Sequence, residues 1–198
     1  MMINIKRMFL PFYNKYVDFS KAKMGIPYLS FLKFKIFGSK YYWDKGKSTT
    51  VVNPRKIVIG KNSPVGRYGG YFQGAGNIYI GNYVQFGPNV SLVSSNHDLY
   101  DHYKLVDGEP IVIEDYCWIG MNSVITAGVS LGPRTIVGAG SVVTKSFSEG
   151  FCVIAGSPAK KIKVLEKDKF VIPKFQVEYY GFLTTKEFEK RRKKFLDI

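Results

Sequence analysis

The stretch from Ile113 to Val143 reads IEDYCW IGMNSV ITAGVS LGPRTI VGAGSV V, and an aliphatic side chain opens every block of six: Ile113, Ile119, Ile125, Leu131, Val137 and Val143. A helix would repeat its apolar residues every three to four positions, and a half-buried strand every two. A six-residue period belongs to neither. It marks very short parallel strands wound into a coil, each turn stacked on the last. Working outward, the period recurs at Ile59, Val65 and Tyr71, then at Ile80, Phe86 and Leu92, with glycine following Ile59, Val65, Ile80, Phe86, Ile119, Leu131 and Val137.

Four residues after each aliphatic position stands a small or β-branched one: Ser63, Val84, Val90, Cys117, Ser123, Val129, Thr135 and Ser141. Both positions must face inward, because three flat strands per turn enclose a narrow prism with room for one large side chain and one small one on each side. The register slips twice. The first slip follows the glycine-rich Gly69 to Gly76, and the second spans Asp98 to Pro110, which is too polar and turn-rich to continue a buried strand. Each reads as a loop thrown out of the coil.

These features divide the chain into a flank over 1–56, a coil over 57–167 with a protruding loop over 98–110, and a tail over 168–198. The net charge of +14 is concentrated in the flanks. Residues 1–56 carry twelve Lys or Arg against Asp18 and Asp44, whereas the coil carries nine against eight. Segments such as Phe31 to Phe37 interleave lysines with aromatics, which suits a cap on the open end of the coil, an anionic membrane face reached from one side, or a charged acceptor. The run Met1 to Arg7 lacks the apolar stretch of a signal peptide or membrane span. No helix-turn-helix, finger or RNP pattern accompanies the charge, so no nucleic-acid partner is expected. In the tail, Thr184 stands three residues before Glu187 as in a capping box, with Phe188, Phe195 and Leu196 on one face of the helix that follows. Cys117 and Cys152 form no metal-type spacing and no disulfide framework, which points to a reducing cytoplasm.

The coil breaks just after Ser94-Ser95-Asn96-His97-Asp98, and His97 is one of only two histidines in the chain. Imidazole at the end of a rigid strand, beside a loop long enough to cover a cleft, is suited to general-base work. Asn89 to Leu92 leading into Asn96-His97-Asp98, then Cys117 to Gly120, Gly138 to Lys145 and Ala155 to Lys160, together resemble the hexapeptide-repeat acyltransferases. The flavour is that of the galactoside and maltose O-acetyltransferases and their capsule-polysaccharide relatives. The resemblance covers about residues 57–165.

It implies an all-β solenoid, a left-handed parallel β-helix, assembled as a homotrimer with sites between subunits and acetyl-CoA as acyl donor. By the same resemblance His97 is the catalytic base, taking the proton of an acceptor hydroxyl as it attacks the thioester. Asp98, Asp101, Glu109 or a backbone carbonyl would orient the ring, and a backbone N–H near Ile119-Gly120-Met121 would receive the oxyanion. Trp118, Met121, Ala139, Thr144 and Lys145 would line the donor groove. Lys160 and Lys163 would meet the coenzyme's phosphates. Tyr71, Phe72, Gln73, Asn96 and His102 would form the acceptor pocket. The resemblance makes a sugar hydroxyl the expected acceptor, with serine, a xenobiotic alcohol or an amino-sugar amine as alternatives; the stretch from residue 67 to Gly76 departs from the pattern, since it does not reproduce the acidic residues of the galactoside and maltose enzymes. A zinc hydratase would need three imidazoles, no metal is expected, and a non-catalytic scaffold gives His97 and the basic pair no role.

Overall fold

The computed structural model describes residues 14–20, 28–66, 68–106 and 108–197. The run Met1 to Arg7 lies outside them, as do residues 21–27, Arg67 and Asp107. The coil has three faces, and the chain visits them in rotation. The first holds β1 (Thr49–Val52), β3 (Gly70–Gln73), β6 (Val90–Val93), β9 (Val124–Thr126) and β12 (Val142–Val143), all paired in parallel. The second holds β2 (Ile57–Ile59), β4 (Ile78–Ile80), β7 (Ile111–Ile113) and β10 (Ser130–Leu131). On the third lie β5 (Gln85–Phe86), β8 (Trp118–Ile119), β11 (Ile136–Val137) and β13 (Cys152–Gly156), finished by the antiparallel β14 (Ala159–Val164).

The inward positions read from the hexads are the core. Ile59, Val65, Ile80, Leu92, Ile113, Ile119, Ile125, Leu131, Val137 and Val143 are buried, and so is every member of the small set from Ser63 to Ser141. Two corrections concern the start of the coil. It begins at Thr49 rather than at residue 57, because β1 is the first rung of face one. The inward residue of the next rung is Phe72, fully buried, while Tyr71 faces out. Gly69 and Gly70 adopt left-handed φ values of 81° and 130°, and the turn they make shifts the strand by one residue, which exchanges its two faces.

Both flanks cap the first-coil end. The helical stretch 14–20 (α1), α2 (Tyr28–Phe37), the hairpin β15 (Tyr179–Tyr180) with β16 (Leu183–Thr184), and α3 (Thr185–Phe195) meet there. Phe19 stacks on Phe31 and meets Tyr179 edge-on, Phe34 stacks on Phe182, and the buried Tyr42 hydroxyl donates to Ile59 O at 3.2 Å and accepts from Ile59 N–H at 2.6 Å. The expected capping box is present: Thr184 Oγ1 accepts from Glu187 N–H and the Glu187 carboxylate accepts from Thr184 N–H. Phe188, Phe195 and Leu196 are buried.

Between the far end and this cap, residues 165–178 return along the edge joining faces two and three. Successive coils place Tyr83, Tyr116, Arg134 and Phe151 at that edge, each with left-handed φ. The Arg134 guanidinium sits 4.4 Å from the Tyr116 ring and 4.3 Å from that of Phe170, and Phe175 stacks on Tyr83 at 5.0 Å. The tail thereby closes one edge of the prism and leaves face one and its two borders free for a site.

Candidate active site

Face one ends where β6 gives way to the loop that carries His97. The loop is an ordered arm. His97 and Leu105 form an antiparallel bridge, Asp98 N–H donates to Lys104 O at 2.8 Å, and Val106 N–H donates to Asn96 O at 3.0 Å. Ser95 Oγ adds a bond to Val106 O at 3.1 Å. The side chain of His97 is exposed at the base of this arm, and His102 is exposed at its tip.

What fixes the base is a buried polar knot. Ser94 Oγ donates to Gln73 O at 2.6 Å and accepts from Gly76 N–H at 3.0 Å. Gly76 and Gly108 pack against the Ser94 carbonyl so closely that a methyl group on either would collide with its oxygen. Sequence reasoning did not single out Ser94, Gly76 or Gly108, because close approach between coils leaves no periodic mark. It also passed over Tyr100 and Tyr103, which stand almost fully exposed at the tip of the arm that His97 begins. Two tyrosines in a polar loop were the available signal.

The expected orienting carboxylates are placed elsewhere. Asp98 Oδ1 accepts from Tyr100 N–H at 2.8 Å and Asp101 N–H at 3.0 Å, bonds that hold its carboxyl below the usual range and spend it on the tip turn. Asp101 Oδ1 accepts from Tyr103 N–H at 3.1 Å. The Glu109 carboxylate lies over Gly128 on the coil above. Among the described residues none of these three carboxylates is hydrogen-bonded to the His97 ring.

The acceptor set is also divided. Asn96 and Tyr71 are exposed, but Phe72 is a core residue 6.1 Å from the Phe86 ring, and Gln73 is buried with its carbonyl in the Ser94 knot. Phe72 therefore cannot stack on a sugar, a correction that follows from the one-residue shift at Gly69-Gly70.

The donor set is divided too, and two of its members form a column on the opposite border of face one. Met121 and Ala139 occupy adjacent coils, tied by Gly140 N–H to Met121 O at 2.8 Å, and Gly120 allows this: a Cβ there would sit 2.6 Å from Ala139 N. Trp118 stands beside them on face three, 55% exposed, and Met121 is 46% exposed. Thr144 and Lys145 follow β12 and so lie on the His97 border, two coils further along. Lys160 and Lys163 are exposed on β14, at the edge of face three. A four-residue strand is roughly 13 Å long, so one chain holds His97 and the Met121–Ala139 column at opposite sides of face one.

Among the described residues no group of three His, Cys, Asp or Glu could hold a metal ion. Cys117 is packed against Gly132 O, and burial pushes its thiol up to about 12, which makes it an inert core group.

Residues 110–145 match the bacterial transferase hexapeptide (six repeats) family. A Schizosaccharomyces pombe protein named as an acetyltransferase is 32% identical over 142 residues, covering 68% of this chain and 68% of that one. The galactoside O-acetyltransferase of Escherichia coli K12 is 34% identical over 134 residues, 63% of this chain and 65% of the enzyme, so the chain spans just under two thirds of its length. Among solved structures, a hexapeptide-repeat acetyltransferase of Vibrio cholerae in complex with acetyl-CoA superposes with a TM-score of 0.57 at 25% identity, covering 74% of this chain and 84% of that one. The three-faced coil with its hexad core, its single arm, and these likenesses lead to one conclusion: the chain belongs to the hexapeptide-repeat acyltransferases and has their left-handed parallel β-helix.

Proposed function

We propose that this protein transfers acetyl from acetyl-CoA to a hydroxyl of a sugar, with His97 as general base in a ternary complex. The observation that carries the reading is His97 itself, exposed at the base of a hydrogen-bonded arm whose root is clamped by Ser94, Gly76 and Gly108. An alcohol is too weak an acid to attack a thioester unaided. Imidazole takes the proton as the new C–O bond forms, the thioester C–S bond then breaks, and CoA leaves as thiol once protonated. Positioned general bases contribute about 10² to 10⁴ in rate.

A homotrimer accounts for the split geometry. Packing the arm of one copy against the Met121–Ala139 column of the next would bring base and donor groove together and cover Trp118, whose exposed indole is otherwise costly. Backbone N–H groups near Gly120 would receive the oxyanion, and Thr144, Lys145, Lys160 and Lys163 would contact the coenzyme. Tyr100 and Tyr103 favour a saccharide acceptor, since aromatic faces pack on the C–H faces of pyranose rings. The galactoside enzyme from E. coli lends the same direction. The acceptor is then a unit of a surface polysaccharide or its lipid-linked precursor, met at the cytoplasmic face of a membrane.

The test is release of CoA thiol from acetyl-CoA across nucleotide sugars, oligosaccharides, serine and amino sugars. His97→Asn is expected to lower turnover on the best acceptor at least about a hundredfold. Turnover within a few-fold of the parent would remove His97 from the chemistry, and a preference for serine or an amine would replace the sugar.

A further inference from the structure

Helix α2 is apolar on two faces. Phe31 and Phe34 point into the cap, while Leu29, Lys33, Ile36 and Phe37 fall at spacings of four, three and one and share the outward side, with Lys40 exposed just beyond the helix end. On that side Leu29 is 75% exposed, Ile36 45% and Phe37 80%. A packed surface helix ordinarily carries polar residues there. Large apolar side chains grouped outward mark a surface that something else covers.

The surroundings identify the chemistry of the cover. Residues 28–56 contain seven Lys or Arg and one acidic residue, Asp44. Beside the helix end, a cleft of about 380 Å³ is lined by Ser39, Lys40, Arg55, Lys56, Lys194 and Asp197 among others. Its one carboxylate, Asp197, is taken by Arg55 through a 2.6 Å bond from Nε, and among the described residues no ion pair holds Lys40, Lys56 or Lys194. A second hollow of about 560 Å³ on the other side of α2 adds Lys33, Lys45 and Lys47. Apolar side chains ringed by lysines with no ion-pair partner among the described residues match an anionic bilayer, in which acyl chains lie beneath a layer of phosphate.

We propose that the first-coil end of this protein is a docking surface for an anionic lipid bilayer, with Leu29, Ile36 and Phe37 at the headgroup–acyl boundary and Lys33, Lys40 and the Lys56–Lys194 cleft against lipid phosphates. Two weak signals act together here, apolar insertion and charge, and neither alone anchors a protein stably. The inference deepens the membrane-side location proposed above, and its deciding readout, vesicle sedimentation, needs neither acetyl-CoA nor turnover, so the two readings can fail separately.

The full chain is mixed with vesicles of phosphatidylcholine alone or of equal parts phosphatidylcholine and phosphatidylglycerol, then sedimented. Binding is expected only to the anionic vesicles, and it should fall as salt shortens the Debye length from about 10 Å at 0.1 M to about 3 Å at 1 M. Leu29→Asp with Phe37→Asp should weaken binding at least tenfold while leaving thiol release with a soluble acceptor unchanged. Lys33→Gln with Lys40→Gln should weaken it about thirtyfold, from about fivefold per cation near an anionic leaflet. Absence of binding to anionic vesicles at low salt overturns the proposal. So does binding that ignores the α2 variants but disappears when residues 1–13 are removed, or a pair of Asp variants that changes the oligomer's mass and not vesicle binding.

Discussion

Gly76 and Gly108 show how a single missing methyl group can seat the root of an arm that presents another residue. Gly76 has no left-handed φ; at both positions glycine is needed because the Ser94 carbonyl occupies the space a Cβ would fill. Gly108→Ala should therefore displace the root of the arm and lower turnover, up to about a hundredfold if the imidazole moves by an ångström, with the coil's circular dichroism unchanged. Unaltered kinetics would show that the arm tolerates the push. The thiols give a second expectation at this scale. Cys117 is buried with its ionisation driven far above neutrality, and Cys152 is buried and raised in the same direction, so neither should react with a thiol reagent before unfolding. Rapid labelling of the native protein would contradict the packing described. The small inward position of Cys117 was readable from the hexads, since only a small residue fits beside Ile119. The Gly76–Ser94–Gly108 contact was not, because it joins two neighbouring coils and the two ends of the arm through backbone atoms.

Among the elements, the tail is fastened to the first coils and to α2 by carboxylates. Bonds from Lys61 and Tyr83 lower Glu178, and Arg55 lowers Asp197. Burial raises Glu187, but the Thr184 N–H and Lys35 outweigh it and leave the group lowered overall. Burial also lowers Lys35 against the pull of Glu187, so the pair is held at some desolvation cost. A carboxylate whose folded value is depressed contributes stability above its unfolded value, near 4, and loses it as pH falls through the folded one. The tail should thus loosen from the cap below about pH 4 while the coil, held by apolar stacking, persists. In a Trp118→Phe background the emission of Trp43, buried in the cap, should shift to the red before far-ultraviolet dichroism changes. A single transition in both signals would show that cap and coil are one cooperative unit. Little of this cap was legible beyond its aromatic content. The cap residues follow no period, and β1, the first rung, lacks the glycines that announce later turns. The capping box was legible, because Thr184 and Glu187 meet through spacing alone.

In the whole molecule, the hexads dictated a three-faced prism and the protein has one, but they are silent on how two borders of a face become one site. A single chain leaves His97 on one border and Met121 and Ala139 on the other, with the tail occupying the third edge. The account places a second copy across that gap. Co-expression of His97→Asn chains with Ala139→Trp chains tests this most directly, because each variant alone has every site spoiled. If base and groove come from different copies around a closed ring, mixed oligomers should regain about a quarter of the parent's thiol release, the share of interfaces that pair an intact groove with an intact imidazole. Mixed oligomers of the same mass that stay as inactive as either variant alone would contradict the shared site.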